Sequence, residues 1–231
     1  MVGISGLKGD IMQDIKLVIF DMDGVILDSE PVHLASKKKI LKTLGLSATM
    51  DLSKYVGVAN EELWAEVIEK NQLSMEVREL VELQDKYNFQ IILEEKIPLS
   101  DGLLEVLDFL ERNEIDAGVA SSSTRGFVNQ VLNHFEINER FKFIVTGDDV
   151  SQKKPNPEIY QKALLLGKSN PTEALAIEDS KMGTLAAKRA GIPCIGYKNP
   201  TSGNQDLSHS ILEIQLLTEV IAYMQNCKKT V

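Results

Sequence analysis

Residues 16–25 read Lys-Leu-Val-Ile-Phe-Asp-Met-Asp-Gly-Val. A short apolar run rich in β-branched and aromatic side chains, closed by Asp and Gly, predicts a strand buried on both faces. Two carboxylates, Asp21 and Asp23, follow it at once, and a third acid, Asp28, lies nearby. Four further runs have the same character: Asp116–Ala120 (DAGVA), Phe141–Val145 (FKFIV), Ala174–Ile177 (ALAI) and Ile192–Gly196 (IPCIG). Amphipathic stretches separate them, at Leu103–Arg112, Arg125–Phe135, Pro157–Leu166 and Lys181–Ala190. The alternation predicts an α/β fold: a parallel sheet between two helical layers. Open sheets of this kind bind ligands outside the carboxyl ends of their strands. The residues just past each apolar run are therefore the candidate site.

One segment breaks the alternation. Residues 31–96 contain no good strand, only helical patterns at His33–Leu44, Glu61–Glu69 and Met75–Leu93. Loops between strand and helix usually run two to six residues, so this segment reads as a small all-helical insertion. The expected division is a core of residues 15–30 and 97–231 and a helical unit of 31–96. Residues 1–14 read as a loose leader. Gly3, Gly6 and Gly9 precede the first strand at the wrong spacing for a dinucleotide-binding turn.

The 231 residues carry a formal net charge of −9 and are 43% hydrophobic and 26% charged. That balance suits a globular protein and argues against a nucleic-acid partner, which needs clustered Lys and Arg. No stretch approaches the ~20 apolar residues of a membrane span, and no secretory leader is visible. The expectation is a cytoplasmic protein with no membrane association and no obligate protein partner. Cys194 and Cys227 are too far apart for a metal or redox motif, and Cys194 reads as a buried strand residue.

Four patches of chemistry fall at strand ends. Asp21 and Asp23 follow the first strand; Ser121, Ser122, Ser123 and Thr124 follow the second. The hydroxyl run leads into a helix, so one hydroxyl caps it and free amides remain to bind an anion. Lys153 and Lys154 precede Pro155-Asn156-Pro157, a helix-start signature, and Glu178-Asp179 follow the fourth strand. Singly, each patch has an ordinary explanation: a solvated turn, a cap, two surface lysines, an acidic helix start. Converging at one sheet edge, they supply carboxylates, hydroxyl and amide donors, a cation and an acid pair. Such a set suits phosphoryl transfer of a small phosphorylated metabolite, in which positioning and charge neutralisation do most of the catalysis.

These motifs resemble the haloacid dehalogenase (HAD) superfamily, in its sugar phosphatase and β-phosphoglucomutase branch, over about residues 15–225. Asp21-Met22-Asp23-Gly24-Val25 with Asp28-Ser29-Glu30, then Ser121, Lys154 and Glu178-Asp179, stand in that family's order. The resemblance implies a Rossmann-like three-layer core with a helical cap. It implies Asp21 as a nucleophile forming an aspartyl phosphate, and Asp23 as general acid and base. Ser121, Ser122 and Lys154 would hold the phosphate. Mg²⁺ would be held by Asp21, the carbonyl of Asp23 and Asp179, with Glu178 as a direct or supporting ligand.

Within the resemblance, Asp23 separates phosphate-ester chemistry from dehalogenation, since a halide leaving group needs no proton. A phosphonatase would use a lysine of the cap, but Lys37, Lys38 and Lys39 read as one helix's solvated face. Hydrolysis and the mutase reaction are harder to part. His33 stands where the mutase has a histidine, with an ordinary capping or surface role equally open. In Tyr55-Val56-Gly57-Val58-Ala59-Asn60 the mutase's phosphate-gripping arginine is replaced by Asn60. That favours hydrolysis, although Lys86 could compensate in part. A non-catalytic phospho-acceptor switch is the remaining alternative, disfavoured because Asp21 follows the first strand and an insertion is present.

Overall fold

The computed structural model describes residues 15–46, 52 and 60–228. Six strands form one parallel sheet: β1 (Leu17–Phe20), β2 (Asp116–Ala120), β3 (Phe143–Val145), β4 (Ala174–Glu178), β5 (Cys194–Tyr197) and β6 (Leu212–Ile214). Their order is β3-β2-β1-β4-β5-β6, so β1 lies inside, between β2 and β4. The helices are α1 (Glu30–Thr43), α2 (Asn60–Asn71), α3 (Val77–Glu95), α4 (Leu103–Arg112), α5 (Arg125–His134), α6 (Glu158–Gly167), α7 (Lys181–Arg189) and α8 (Glu219–Lys228).

Strand alternation sorts the core. Val18 and Phe20 of β1 pack with Val106 of α4, Phe127 and Val131 of α5, and Val220 and Met224 of α8. Leu17 and Ile19 point to the other face, where Ile159 and Tyr160 of α6 meet Ala186 and Ala187 of α7. The result is a three-layer α/β core. Register then aligns the chemistry: Phe20 is level with Val119 of β2 and with Ile177 of β4. The next residues, Asp21, Ala120 and Glu178, consequently leave the sheet side by side at one edge.

The expected five strands all form; the sixth was not anticipated. β6 has only three residues, of which Leu212 and Glu213 are exposed and Ile214 alone is buried. A strand so short and one-sided leaves no continuous apolar run in the sequence. The helix expected from Pro157 starts at Glu158, because Asn156 Oδ1 accepts the Glu158 amide at 3.0 Å from outside the helix.

Helices α1, α2 and α3 build a separate apolar cluster from Ile40, Leu41, Leu63, Trp64, Val67, Leu80 and Val81. Trp64 is fully buried there, and its indole N–H donates to Gln84 Oε1 at 2.7 Å. Among the described residues no helix is long and apolar enough to cross a membrane.

Candidate active site

Asp21, Glu178 and Asp179 meet at the carboxyl edge, with one oxygen from each within 4.8 Å of the others. Lys154 Nζ donates to Asp21 Oδ1 at 2.8 Å, to Glu178 Oε1 at 2.6 Å and to the Ala120 carbonyl at 2.8 Å. At an effective dielectric near 20, two like charges so separated repel by about 3 kcal/mol. Lys154 lies close enough to Asp21 and Glu178 to offset repulsion of that size, so the burial of the acids decides. Burial accordingly pushes Asp21 well above the usual carboxylate range, with Glu178 adding to it and Lys154 pulling back. Burial likewise raises Asp179, to about 8. Burial opposes the charge of Lys154, but Asp21 and Glu178 win and raise its pKa.

Two glycines make room for these acids. Gly24 has φ +78°, and a Cβ there would lie 1.9 Å from Asp179 Oδ2. A Cβ on Gly183 would lie 1.8 Å from Glu178 Oε2, so the first turn of α7 seats that carboxylate. Tyr160 also donates to Glu178 Oε1, at 2.6 Å. An all-oxygen, surplus-negative donor set fits a hard divalent cation such as Mg²⁺.

Asp23 is turned away from this cluster and held at the mouth. Its Oδ1 accepts from the Ser29 hydroxyl at 2.7 Å and faces His33 Nε2 at 2.9 Å; Oδ2 accepts from the Ser123 hydroxyl at 2.7 Å. Burial alone would raise its pKa, but His33 and these hydroxyls hold it at about 2. Ser29 sits at the N-cap of α1 without capping it, its hydroxyl being committed to Asp23. Asn88 of α3 donates Nδ2–H to His33 Nδ1 at 3.0 Å, which leaves Nε2–H to point at Asp23.

The pocket over these groups is lined by Asp21, Asp23, His33, Asn60, Ser122 and Lys154, with Ser123, Thr124 and Asp179 beside them. Thr124 caps α5, as its position promises. Ser121 is fully buried and does not line the pocket; its hydroxyl accepts the Ser123 amide at 3.1 Å and so shapes the loop from beneath. Lys86 is exposed on α3 and does not line the pocket either. One helical position separates it from Asp85, which does face in and accepts from the Thr124 hydroxyl. The lysine run also departs from expectation. Lys38 and Lys39 are exposed, but Lys37 is buried and lines the pocket. Asn60 begins α2 at the rim; Tyr55–Ala59, on which its alignment with the mutase rests, lie outside the described residues.

Sequence reasoning passed over the loop after β5. Asn199 Nδ2 donates to the Gly24 carbonyl at 3.1 Å and to Asp28 Oδ1 at 3.2 Å, and the Ser202 hydroxyl donates to Asp179. Its signal was position: Asn199-Pro200-Thr201 follows a strand at the same carboxyl edge as the four patches.

Residues 18–197 match the haloacid dehalogenase-like hydrolase family. A phosphorylated carbohydrates phosphatase of Thermotoga maritima is 32% identical over 183 residues, 77% of this chain and 82% of that protein. A beta-phosphoglucomutase of Bacillus subtilis is 29% identical over 189 residues, 78% of this chain and 82% of that protein. CbbY from Rhodobacter sphaeroides, solved in complex with phosphate, has the same fold, with a TM-score of 0.81 at 24% identity over 89% of this chain and 96% of that one. The family match spans well over half of the sequence and includes Asp21, Lys154 and Glu178-Asp179, and the chain belongs to the haloacid dehalogenase-like hydrolases.

Proposed function

We propose that this protein is a Mg²⁺-dependent phosphatase of small phosphate monoesters, sugar phosphates among them, acting through an aspartyl phosphate on Asp21. The observation that carries this reading is the pairing of Asp21 with Lys154 at 2.8 Å inside a cluster of three carboxylates. A carboxylate so placed has a cation to align it and a site where phosphate charge can be offset. Asp21 attacks phosphorus, Lys154 and the Ser122–Thr124 loop orient the phosphate oxygens, and Ser121 keeps that loop in shape. Asp21, the Asp23 carbonyl and Asp179 would hold Mg²⁺, with Glu178 as a direct or supporting ligand; when bound the ion supplies positive charge against the substrate's dianion.

Asp23 gives a proton to the leaving oxygen and then takes one from the water that cleaves the acyl phosphate. Held at about 2 by His33, Ser29 and Ser123, it rests ionised, the form that accepts a proton. The donor half of the cycle requires those bonds to be exchanged. His33 rides on α1, and we read residues 31–96 as a cap whose movement makes that exchange. The phosphatase relative supports the reading, and so does neutral Asn60 at the rim.

The test is phosphate release from p-nitrophenyl phosphate and a panel of sugar phosphates, with Mg²⁺ and with chelator. Asp21→Asn is expected to lose activity on the order of a thousandfold or more while its unfolding midpoint stays near that of the parent. Substantial Mg²⁺-dependent turnover by the variant would sink the nucleophile assignment. A mutase reading draws on the His33–Asp23 contact and the mutase relative. It predicts glucose 6-phosphate from β-glucose 1-phosphate and a bisphosphate primer, faster than phosphate is released.

A further inference from the structure

Among the described residues three lysines line the pocket, and two of them are engaged. Lys154 is shared by Asp21 and Glu178, and Lys153 pairs with Glu61 and also reaches the Ser122 carbonyl. The third is Lys37, whose residue is only 8% exposed. Among the described residues its ammonium has no hydrogen-bond or ion-pair partner. Burial lowers its pKa, against a weaker opposing pull from Glu30 and Asp23. Its neighbours behave as ordinary surface lysines, Lys39 lying over the Tyr87 ring at 4.3 Å and reaching Gln90. An ammonium held against a protein wall, open only toward the pocket and with no anion bonded to it, is poorly compensated. At this place an apolar side chain would pack at lower cost, so the charge calls for a ligand.

We propose that Lys37 receives a second anionic group of the substrate, so that the preferred substrate is a small phosphomonoester that also carries a carboxylate or a second phosphate. This rests on the phosphatase reading above and names its substrate class. The placement follows from α1. Lys37 lies four residues after His33 on the same helical face, about 6 Å along the axis. Helical side chains lean toward the N-terminus, which brings the ammonium back toward His33. His33 contacts Asp23, where the leaving oxygen sits, so the second anion lies about one helical turn beyond that oxygen. A short carbon chain spans that gap. Of the acids facing the pocket, Glu61 is paired with Lys153 and Asp85 with Thr124, while Glu30, on the same helix, pulls on Lys37 without bonding to it.

Matched substrate pairs test the assignment with phosphate release as readout: 2-phosphoglycolate against ethyl phosphate, 3-phosphoglycerate against glycerol 3-phosphate, and fructose 1,6-bisphosphate against fructose 6-phosphate. The wild-type protein is expected to favour the anion-bearing member of at least one pair by about tenfold or more in kcat/KM. Which pair responds tells carboxylate from phosphate. Lys37→Gln should collapse that ratio mainly through KM, Lys37→Arg should keep most of it, and exposed Lys38→Gln should leave it unchanged. A wild-type preference for the neutral members, or a ratio that Lys37→Gln does not alter, overturns the proposal. If p-nitrophenyl phosphate itself is not hydrolysed, the phosphatase reading fails separately. Binding then decides: with Mg²⁺ present, 2-phosphoglycolate should raise the unfolding midpoint more than ethyl phosphate does. That difference should vanish in Lys37→Gln, and equal shifts in the wild-type protein would refute the role of Lys37.

Discussion

Gly24 connects backbone conformation to charge placement at a single residue. Its φ of +78° lies where a side chain costs about 1–2 kcal/mol, and the site of its missing Cβ is taken by the Asp179 carboxylate. Gly24→Ala should therefore lose at least that much stability in denaturant titrations and weaken Mg²⁺ binding, as Asp179 is forced aside. A variant with parent-like Mg²⁺ affinity would show that Asp179 has another place to go. The acids themselves were legible in the sequence, because Asp21, Asp23 and Glu178-Asp179 follow apolar runs that could only be strands. Lys37 was not. A lysine triplet reads by default as a solvated face, and burial of one member comes from tertiary packing such as that of α3 on α1, which no local pattern shows. The spacing of four from His33 was the one local hint.

Elements set which of these groups can cooperate. Parallel register delivers Asp21, Ala120 and Glu178 to the same edge, a consequence of the strand alternation that the sequence displays openly. The loop after β5 is a different case. It steadies the site through Asn199 on Gly24 and Ser202 on Asp179, contacts across more than 170 and more than 20 residues of chain respectively. Neither periodicity nor local motif encodes such pairings, so sequence reasoning passed over them, as it did over short, half-exposed β6. Ser202→Ala should weaken Mg²⁺ binding by about tenfold, the usual scale for groups that orient a metal's carboxylates. Calorimetric titration with Mg²⁺ would show it, and an unchanged affinity would reduce Ser202 to a loop contact.

For the molecule as a whole, the crowded acids should make stability depend on pH and, on the Mg²⁺ reading proposed above, on metal as well. Asp179 titrates at about 8 in the fold and near 3.9 unfolded, so the folded state holds the extra proton between those values. Stability of the metal-free protein is therefore lost through this group as pH rises from about 4 to about 8. Asp23 has the opposite sign: at about 2 in the fold, its contribution is present above about 4 and lost as pH falls toward 2. Thermal unfolding in chelator should show the first decline, and Mg²⁺ should reverse it, most strongly near pH 8. A metal effect that is uniform across that range would contradict the three-acid site.

The helical unit also carries a built-in optical label. Trp64 is the chain's single tryptophan, and it is buried among α1, α2 and α3 with its indole bonded to Gln84. Emission excited at the red edge of protein absorbance thus reports on those three helices alone, whereas backbone circular dichroism averages over all layers. Denaturation curves from the two signals would separate if residues 31–96 melt on their own, and would coincide if they melt together with the sheet. The same indole, beside Val81 at the pocket wall, offers a stopped-flow signal for ligand-driven rearrangement with no label added.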